Sequence, residues 1–339
     1  MKALSAGKLR GLRRMADTAG RFKMTAVDQR PPIINPIAAA HGGTAPWEAV
    51  ARFKTLLVER LQGQSTAMLL DPNYAYPMAE PVLDPQKGLI MTLEDSAFRE
   101  TGEGRLSAEI DGWSVAKIRR MGADAVKVLA WYRPDAPAEI NAHQQDFTRR
   151  IGEACKRHDI PFLFELLVYP LPGEKNQTTQ YIEMADKKSA LVLESVAEFA
   201  KPEYGVDVFK LESPVPARDC DGSAPVQALF DEMGRLCGRP WVMLSAGAGM
   251  TEFKAVLDHA YRAGASGYLA GRAIWSEAFK AYPDWAAIEA GLAGRAVAYM
   301  RDINTLTDAK ALPWWSSWGG ATLADADESF RHRYSEPGS

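Results

Sequence analysis

The chain has 339 residues, 47% of them hydrophobic and 24% charged, with a formal net charge of −3. This is globular composition, long enough for one large or two ordinary domains, and the weakly negative balance excludes the broad basic field that nucleic acid requires. No apolar run reaches the ~18 residues of a membrane span. Cys155, Cys220 and Cys237 are odd in number and far apart, which points to a reducing, cytoplasmic location rather than a disulfide framework.

In chain order, residues 1–23 carry seven basic side chains against the single acid Asp17. That bias resembles a transit peptide, but Leu9, Leu12 and Met15 fall at helical spacing, so a short amphipathic helix against a barrel base is the preferred reading. The first strand is expected at 24–28, MTAVD, followed by a Pro-rich loop, PPIINP. Pro46 and Trp47 open a helix to about Gln62. A second strand follows at 66–71, then a Pro-rich segment that cannot be a regular helix. The third strand is 88–93, ending at Glu94. Segment 95–112 is polar and Gly-containing, a candidate mobile loop over a site. A helix at 114–121 leads to a fourth strand at 124–130, and a long helix spans 137–158. The fifth strand is 161–168. The following loop, 169–188, has the length and polarity of a functional or disordered segment. Then come a helix at 190–201, the sixth strand at 207–212, a helix at 226–236 and the seventh strand at 240–245. A helix at 252–263, the eighth strand at 267–270 and a helix at 277–300, broken near Tyr282–Pro283, complete the pattern.

Eight apolar strands alternating with helices predict parallel βα units, hence an α/β fold of the (β/α)8 TIM barrel type over residues 1–303. Residues 304–339 form a Trp-rich C-terminal extension whose last ten or so residues are expected to be disordered. A doubly wound sheet is the alternative, but DQRPPI after the first strand is not the Gly-rich dinucleotide turn that fold usually carries.

Strand periodicity places Val208, Lys210 and Glu212 on one face and Asp207, Phe209 and Leu211 on the other. Burial disfavours the charged form of an ammonium, and a neutral amine is a nucleophile. Lys210 is therefore a candidate for Schiff-base chemistry; its plain alternative is a structural ion pair. In a barrel the carboxyl ends of the strands share one mouth. Those ends supply Asp28 and Gln29, Asp71, Glu94, Lys127, Glu165, Lys210 and Glu212, Ser245, and Gly271 with Arg272. Parity turns Lys127 and Glu165 inward with Lys210. A second lysine nearby favours the neutral amine, and Glu165 can move a proton; the alternative is that Lys127 and Glu165 simply pair. LSAGAGM and LAGRAIW follow strands seven and eight, where barrels often hold phosphate. Small residues such as Gly247 and Gly271 let backbone N–H groups approach an anion, and Arg272 can clamp it. None of the five histidines lies at a strand end and no pair has ligand spacing, so no metal site and no cofactor are expected.

Seven pieces in order, AVDQR (26–30), LLDPNYAYP (69–77), GADAVKVL (122–129), IPFLFELLVY (160–169), GVDVFKLESPV (205–215), LSAG (244–247) and GRAIW (271–275), resemble the class I tagatose-bisphosphate aldolase family over about residues 8–300. The resemblance implies that Lys210 forms the Schiff base, that Glu165 transfers protons, and that Lys127 sits beside it. It also implies that Asp28 and Gln29 contact substrate and that Ser245, Gly271 and Arg272 hold its phosphate. The expected reaction is cleavage of a ketohexose 1-phosphate or 1,6-bisphosphate, tagatose 1,6-bisphosphate foremost, to dihydroxyacetone phosphate and an aldehyde. Two alternatives stay open: a sulfofructose-1-phosphate aldolase of the same mechanism, and a barrel that binds phosphosugars without turnover. The only expected partners are the sugar phosphate and, from the family and the Trp-rich tail, a second copy of the chain.

Overall fold

The computed structural model describes residues 1–174 and 188–334. Eight parallel strands close into a barrel in sequence order: β1 (Phe22–Ala26), β2 (Ala67–Leu70), β3 (Gly88–Thr92), β4 (Ala125–Trp131), β5 (Phe162–Leu167), β6 (Val208–Leu211), β7 (Trp241–Met243) and β8 (Gly267–Ala270). Among the described residues, ten helices precede, join or directly follow them. They are α1 (Ala6–Met15), α2 (Pro31–Ala40), α3 (Trp47–Leu61), α4 (Ala75–Ala79), α5 (Val115–Arg120), α6 (Ala138–Arg157), α7 (Ser189–Phe199), α8 (Ala224–Cys237), α9 (Met250–Arg262) and α10 (Arg272–Phe279). Among the described residues, no helix is long and apolar enough to cross a membrane.

Alternation builds two apolar layers. Val126, Phe164, Phe209 and Met243 face outward and pack beneath the helices. Met24, Leu69, Ile90, Ala125, Leu163, Val208, Val242 and Leu269 face inward and fill the lower barrel. The upper interior is left to polar side chains. α1 closes the floor, with Leu12 and Met15 fully buried. Its small residues allow the approach: a Cβ on Gly11 would stand 2.2 Å from the Asp124 carbonyl oxygen.

The structure corrects several local expectations. PPIINP is not a loop but the start of α2, with Pro31 and Pro32 in the first turn, where prolines are tolerated. Pro36 lies inside that helix, held there by the buried neighbours Ile33 and Ile37. The Pro-rich stretch after β2 contains the short α4. Segment 95–112 is an arm that carries a short hairpin: Arg99–Glu100 pairs antiparallel with Arg105–Leu106, and Arg105 and Ser107 are buried. Of the long loop 169–188, residues 175–187 lie outside the described residues. The last helical segment breaks at Tyr282–Pro283 as expected, but α10 already begins at Arg272, and helices at Trp285–Gly291 and Val297–Lys310 follow.

The tail returns beneath the barrel. Ala321–Leu323 pairs in parallel with Lys2–Leu4, and Trp314 is buried against the floor with α1. Of the last ten residues, Phe330–Arg333 form a helical turn, and 335–339 lie outside the described residues.

Candidate active site

Three inward side chains occupy three adjacent strands. The β5–β6 register sets Glu165 directly opposite Lys210, and the β4–β5 register sets Glu165 opposite Leu129, two residues above Lys127. The result is compact. Glu165 Oε2 lies 2.7 Å from Lys127 Nζ and 2.9 Å from Lys210 Nζ, an ion pair with each. Lys127 Nζ also donates to Asp28 Oδ2 at 2.9 Å and to Glu94 Oε1 at 2.6 Å. The pairing of Lys127 with Glu165 named as the plain alternative is therefore present, and it is part of something larger. A carboxylate also stands between the two lysines and offsets their repulsion.

Two neighbours complete the cluster. Thr92 Oγ1 donates to Glu94 Oε2 at 2.6 Å. Arg30 donates to the Glu94 carbonyl at 3.1 Å and holds its carboxylate at 3.6 Å. Asp28, Glu94 and Glu165 thus face Arg30, Lys127 and Lys210, three buried anions against three buried cations. Burial alone raises a carboxyl pKa. For Asp28 the ammoniums of Lys127 and Lys210 and the Arg30 guanidinium outweigh burial and hold the carboxyl well below the usual range. For Glu165 burial and the nearby Asp28 push up, yet Lys127 and Lys210 prevail and the carboxyl is lowered. Both acids are ionised at neutral pH.

A second cluster forms where β7 and β8 end. Ser245 is followed by Ala246 at φ +45° and Gly247 at φ +74°. The Gly247 backbone turns toward Arg272: a Cβ there would stand 3.5 Å from Arg272 Nη1. Arg272 is the first residue of α10, so that helix directs its N-terminal backbone dipole at the same spot. Gly271 is wedged: a Cβ would meet Gln29 Nε2 at 2.6 Å and the Ala26 carbonyl oxygen at 2.7 Å. Gln29 therefore leans on the β8 loop, and its Oε1 is buried with no donor among the described residues. Lys127, Glu165, Lys210 and Asp28 come together in the barrel, and Ser245, Gly247, Gly271, Arg272 and Gln29 gather at its β7–β8–β1 rim.

Other strand-end residues go elsewhere. Asp71 turns behind the wall and forms a fully buried ion pair with Lys54 of α3, whose Nζ also donates to the Val27 carbonyl at 2.7 Å. Glu212 braces β5, accepting from Val168 N at 2.7 Å. Asp207, at the opposite end of β6, receives Lys8 Nζ at 2.8 Å and Phe162 N at 2.9 Å. The sequence gives Arg30 no signal beyond its place next to Gln29 in AVDQR, and marks Glu94 only as a strand-end acid. Over the site rises an apolar rim: Leu129, Leu167 and Leu244, then Trp131 and Tyr169, with Phe98 from the arm. Arg105 is held among these rings, 4.2 Å from the Phe98 centroid and 4.5 Å from that of Trp131.

The profile of the DeoC/LacD family aldolases matches residues 22–277. A tagatose 1,6-diphosphate aldolase of Listeria monocytogenes is 33% identical over 332 residues, covering 94% of this chain and 97% of that protein. The chain belongs to the DeoC/LacD aldolase family. Another relative, tagatose 1,6-diphosphate aldolase 2 of Enterococcus faecalis, is 33% identical over 303 residues, covering 86% of this chain and 88% of its own. Solved structures share the fold. An archaeal fructose 1,6-bisphosphate aldolase superposes with a TM-score of 0.56 at 18% identity, covering 88% of this chain and 98% of that chain. The Plasmodium falciparum fructose-bisphosphate aldolase gives a TM-score of 0.62 at 14% identity, covering 95% of this chain and 98% of that chain. Membership makes this DeoC/LacD protein an aldolase, a carbon–carbon lyase, and its barrel is the TIM barrel that the strand pattern predicts.

Proposed function

We propose that this aldolase works through a Schiff base on Lys210 and cleaves a ketohexose 1-phosphate or 1,6-bisphosphate, with tagatose 1,6-bisphosphate as its foremost substrate. The observation that carries the reading is the 2.9 Å approach of Lys210 Nζ to an ionised, buried Glu165 at the mouth of the barrel. Glu165 accepts the proton that Lys210 must shed. The neutral amine attacks the C2 carbonyl; Glu165 then returns its proton to the carbinolamine hydroxyl, which leaves as water, giving an iminium and a carboxylate free to take the next proton. The C3–C4 bond then breaks: its electron pair moves into the iminium, and the C4 hydroxyl proton passes to Glu165, directly or through water. The aldehyde departs. The enamine takes a proton at C3, and hydrolysis releases dihydroxyacetone phosphate and the free lysine. Splitting one barrier into several is the advantage of covalent catalysis.

Lys127 touches Glu165, Asp28 and Glu94 and keeps Glu165 ionised and aimed. Asp28 and Gln29 receive substrate hydroxyls, the buried Gln29 Oε1 being an acceptor in want of a donor. Ser245, Gly247, Gly271 and Arg272 form the cradle for the C1 phosphate. The tagatose preference rests on the relatives, which are tagatose 1,6-diphosphate aldolases.

The test is borohydride reduction in the presence of dihydroxyacetone phosphate. The expected result is a mass adduct on Lys210 that is missing in Lys210→Arg. Lack of any adduct, together with cleavage abolished by EDTA, ends the mechanism. A panel of tagatose 1,6-bisphosphate, fructose 1,6-bisphosphate and sulfofructose 1-phosphate then ranks the substrates. Tight binding of all three with no cleavage would instead favour a phosphosugar-binding barrel.

A further inference from the structure

A cavity of about 680 Å³ opens on the floor of the barrel, at the end opposite Lys210. Its cationic lining is Lys2, Lys8, Lys156, Arg157, Arg239 and Arg333. Three carboxylates face them, Asp159, Asp207 and Asp325, so the described lining carries +3 on a chain whose total is −3. Those carboxylates are already committed. Asp207 takes Lys8 Nζ and the Phe162 amide, and Asp325 takes Arg333 at 2.8 Å. Asp159 takes the Ser5 hydroxyl, the Gly7 and Lys8 amides and the Tyr334 hydroxyl.

The remaining cations have no carboxylate partner among the described residues. Lys156 and Arg157 end α6, where positive charge suits the helix terminus. That accounts for their place on the helix, but not for Arg239 beside them. The Arg239 guanidinium is partly buried; it donates to the carbonyl oxygens of Cys237 at 3.2 Å, Val206 at 2.7 Å and Ala200, and lies 5.5 Å from the Phe209 ring centroid. Burial pushes it below its usual range, with Asp207 opposing. A fixed, partly desolvated guanidinium facing a roomy cavity also lined by Lys2, Lys156 and Arg157 is a receptor for negative charge. Trp318 and Phe330 add apolar wall, and the volume lies within the range of small-molecule sites.

We propose that this floor cavity is a second binding site, for a multiply charged phosphate-bearing small molecule, separate from the C1-phosphate cradle at the mouth. The inference does not depend on the Schiff-base reading. It reaches the catalytic frame at one point: Asp207 immediately precedes the strand that carries Lys210, and it anchors the first residue of the strand that carries Glu165.

The experiment is calorimetric titration of the full-length protein with inorganic tripolyphosphate and, separately, ATP at constant ionic strength. Three proteins are compared: wild type, Arg272→Ala, and the exposed double variant Lys156→Glu/Arg157→Glu. The wild type is expected to bind at least one probe with a Kd below about 1 mM. Arg272→Ala is expected to retain that binding, and the floor variant to weaken it at least about tenfold, since charge-assisted contacts are each worth roughly that factor or more. The floor variant is expected to keep wild-type cleavage rates and to lose only a few degrees of thermal midpoint, the cost of acidic residues at a helix C-terminus, which separates lost binding from lost folding. A preference for ATP over tripolyphosphate assigns the apolar wall to a ring on the ligand; equal affinity assigns the site to the phosphates alone. The proposal is overturned if neither probe binds the wild type, or if Arg272→Ala abolishes binding and the floor variant does not affect it.

Discussion

Glu165 is the residue on which the proposed chemistry turns, because one oxygen contacts both lysines. Glu165→Gln keeps the shape but removes the base. Its kcat is expected to fall by about 10²–10⁴-fold, the usual worth of a positioned proton carrier, while borohydride trapping still labels Lys210, only more slowly, because the amine must lose its proton to water instead; steady-state kinetics and mass spectrometry check the two halves. The same charges set a pH dependence of stability. The folded-state pKa values of Asp28 and Glu165 are depressed, so their stabilisation is fully present above the ordinary carboxylate pKa of about 4 and is lost as pH falls through the lower folded values. The wild type is expected to lose stability steadily below about pH 4, and Asp28→Asn to show a shallower slope there, by denaturant unfolding at stepped pH. Because Glu165 stays ionised from pH 5 to 8, the acid limb of kcat/KM in that range is not its titration.

At the scale of elements, the proposed phosphate cradle depends on two loops meeting without side chains in the way. Gly271 sits where β8 passes into α10 and tolerates no Cβ, given Gln29 and the Ala26 carbonyl at under 3 Å from it. Gly271→Ala is expected to cost about 1–3 kcal/mol in stability, the range for overpacking. It should also raise KM for phosphorylated substrate more than it lowers kcat, because Gln29 and the α10 terminus are displaced together. Urea unfolding and a KM–kcat comparison measure both. The arm at 99–106 is a further case of elements deciding shape. A sequence of polar residues and glycines became an ordered hairpin because Arg105 found three aromatic faces, those of Phe98, Trp131 and Tyr169. Those rings belong to three separate stretches of chain, so the cage exists only once β4, β5 and the arm are assembled.

For the whole molecule, the floor is a joint construction. α1, the first residues and the returning tail cover apolar ends of strands that would otherwise face water. Trp314 is the centre of this cover, packed edge to face with Trp315 and Trp318. Trp314→Ala is expected to destabilise the protein by about 3–5 kcal/mol, as for other buried large-to-small changes. The loss should appear as a lower urea midpoint with little change in KM, since the site is at the other end of the barrel. The sequence by itself determined the eight strands, their order and the polar residue closing nearly every one. Hydrophobic alternation and chain punctuation are local properties, readable a few residues at a time. It also placed Lys127, Glu165 and Lys210 on inward faces, because parity within a strand needs no partner. Only the tertiary structure decided how those faces were used. It sent Asp71 behind the wall to Lys54, brought Arg30 and Glu94 to the cluster, and folded PPIINP into a helix. Each of these outcomes is set by barrel register and by neighbours distant in sequence, whose approach no local pattern records. The 99-residue separation of Asp28 and Lys127, which meet at 2.9 Å, shows how far apart in the chain those neighbours are.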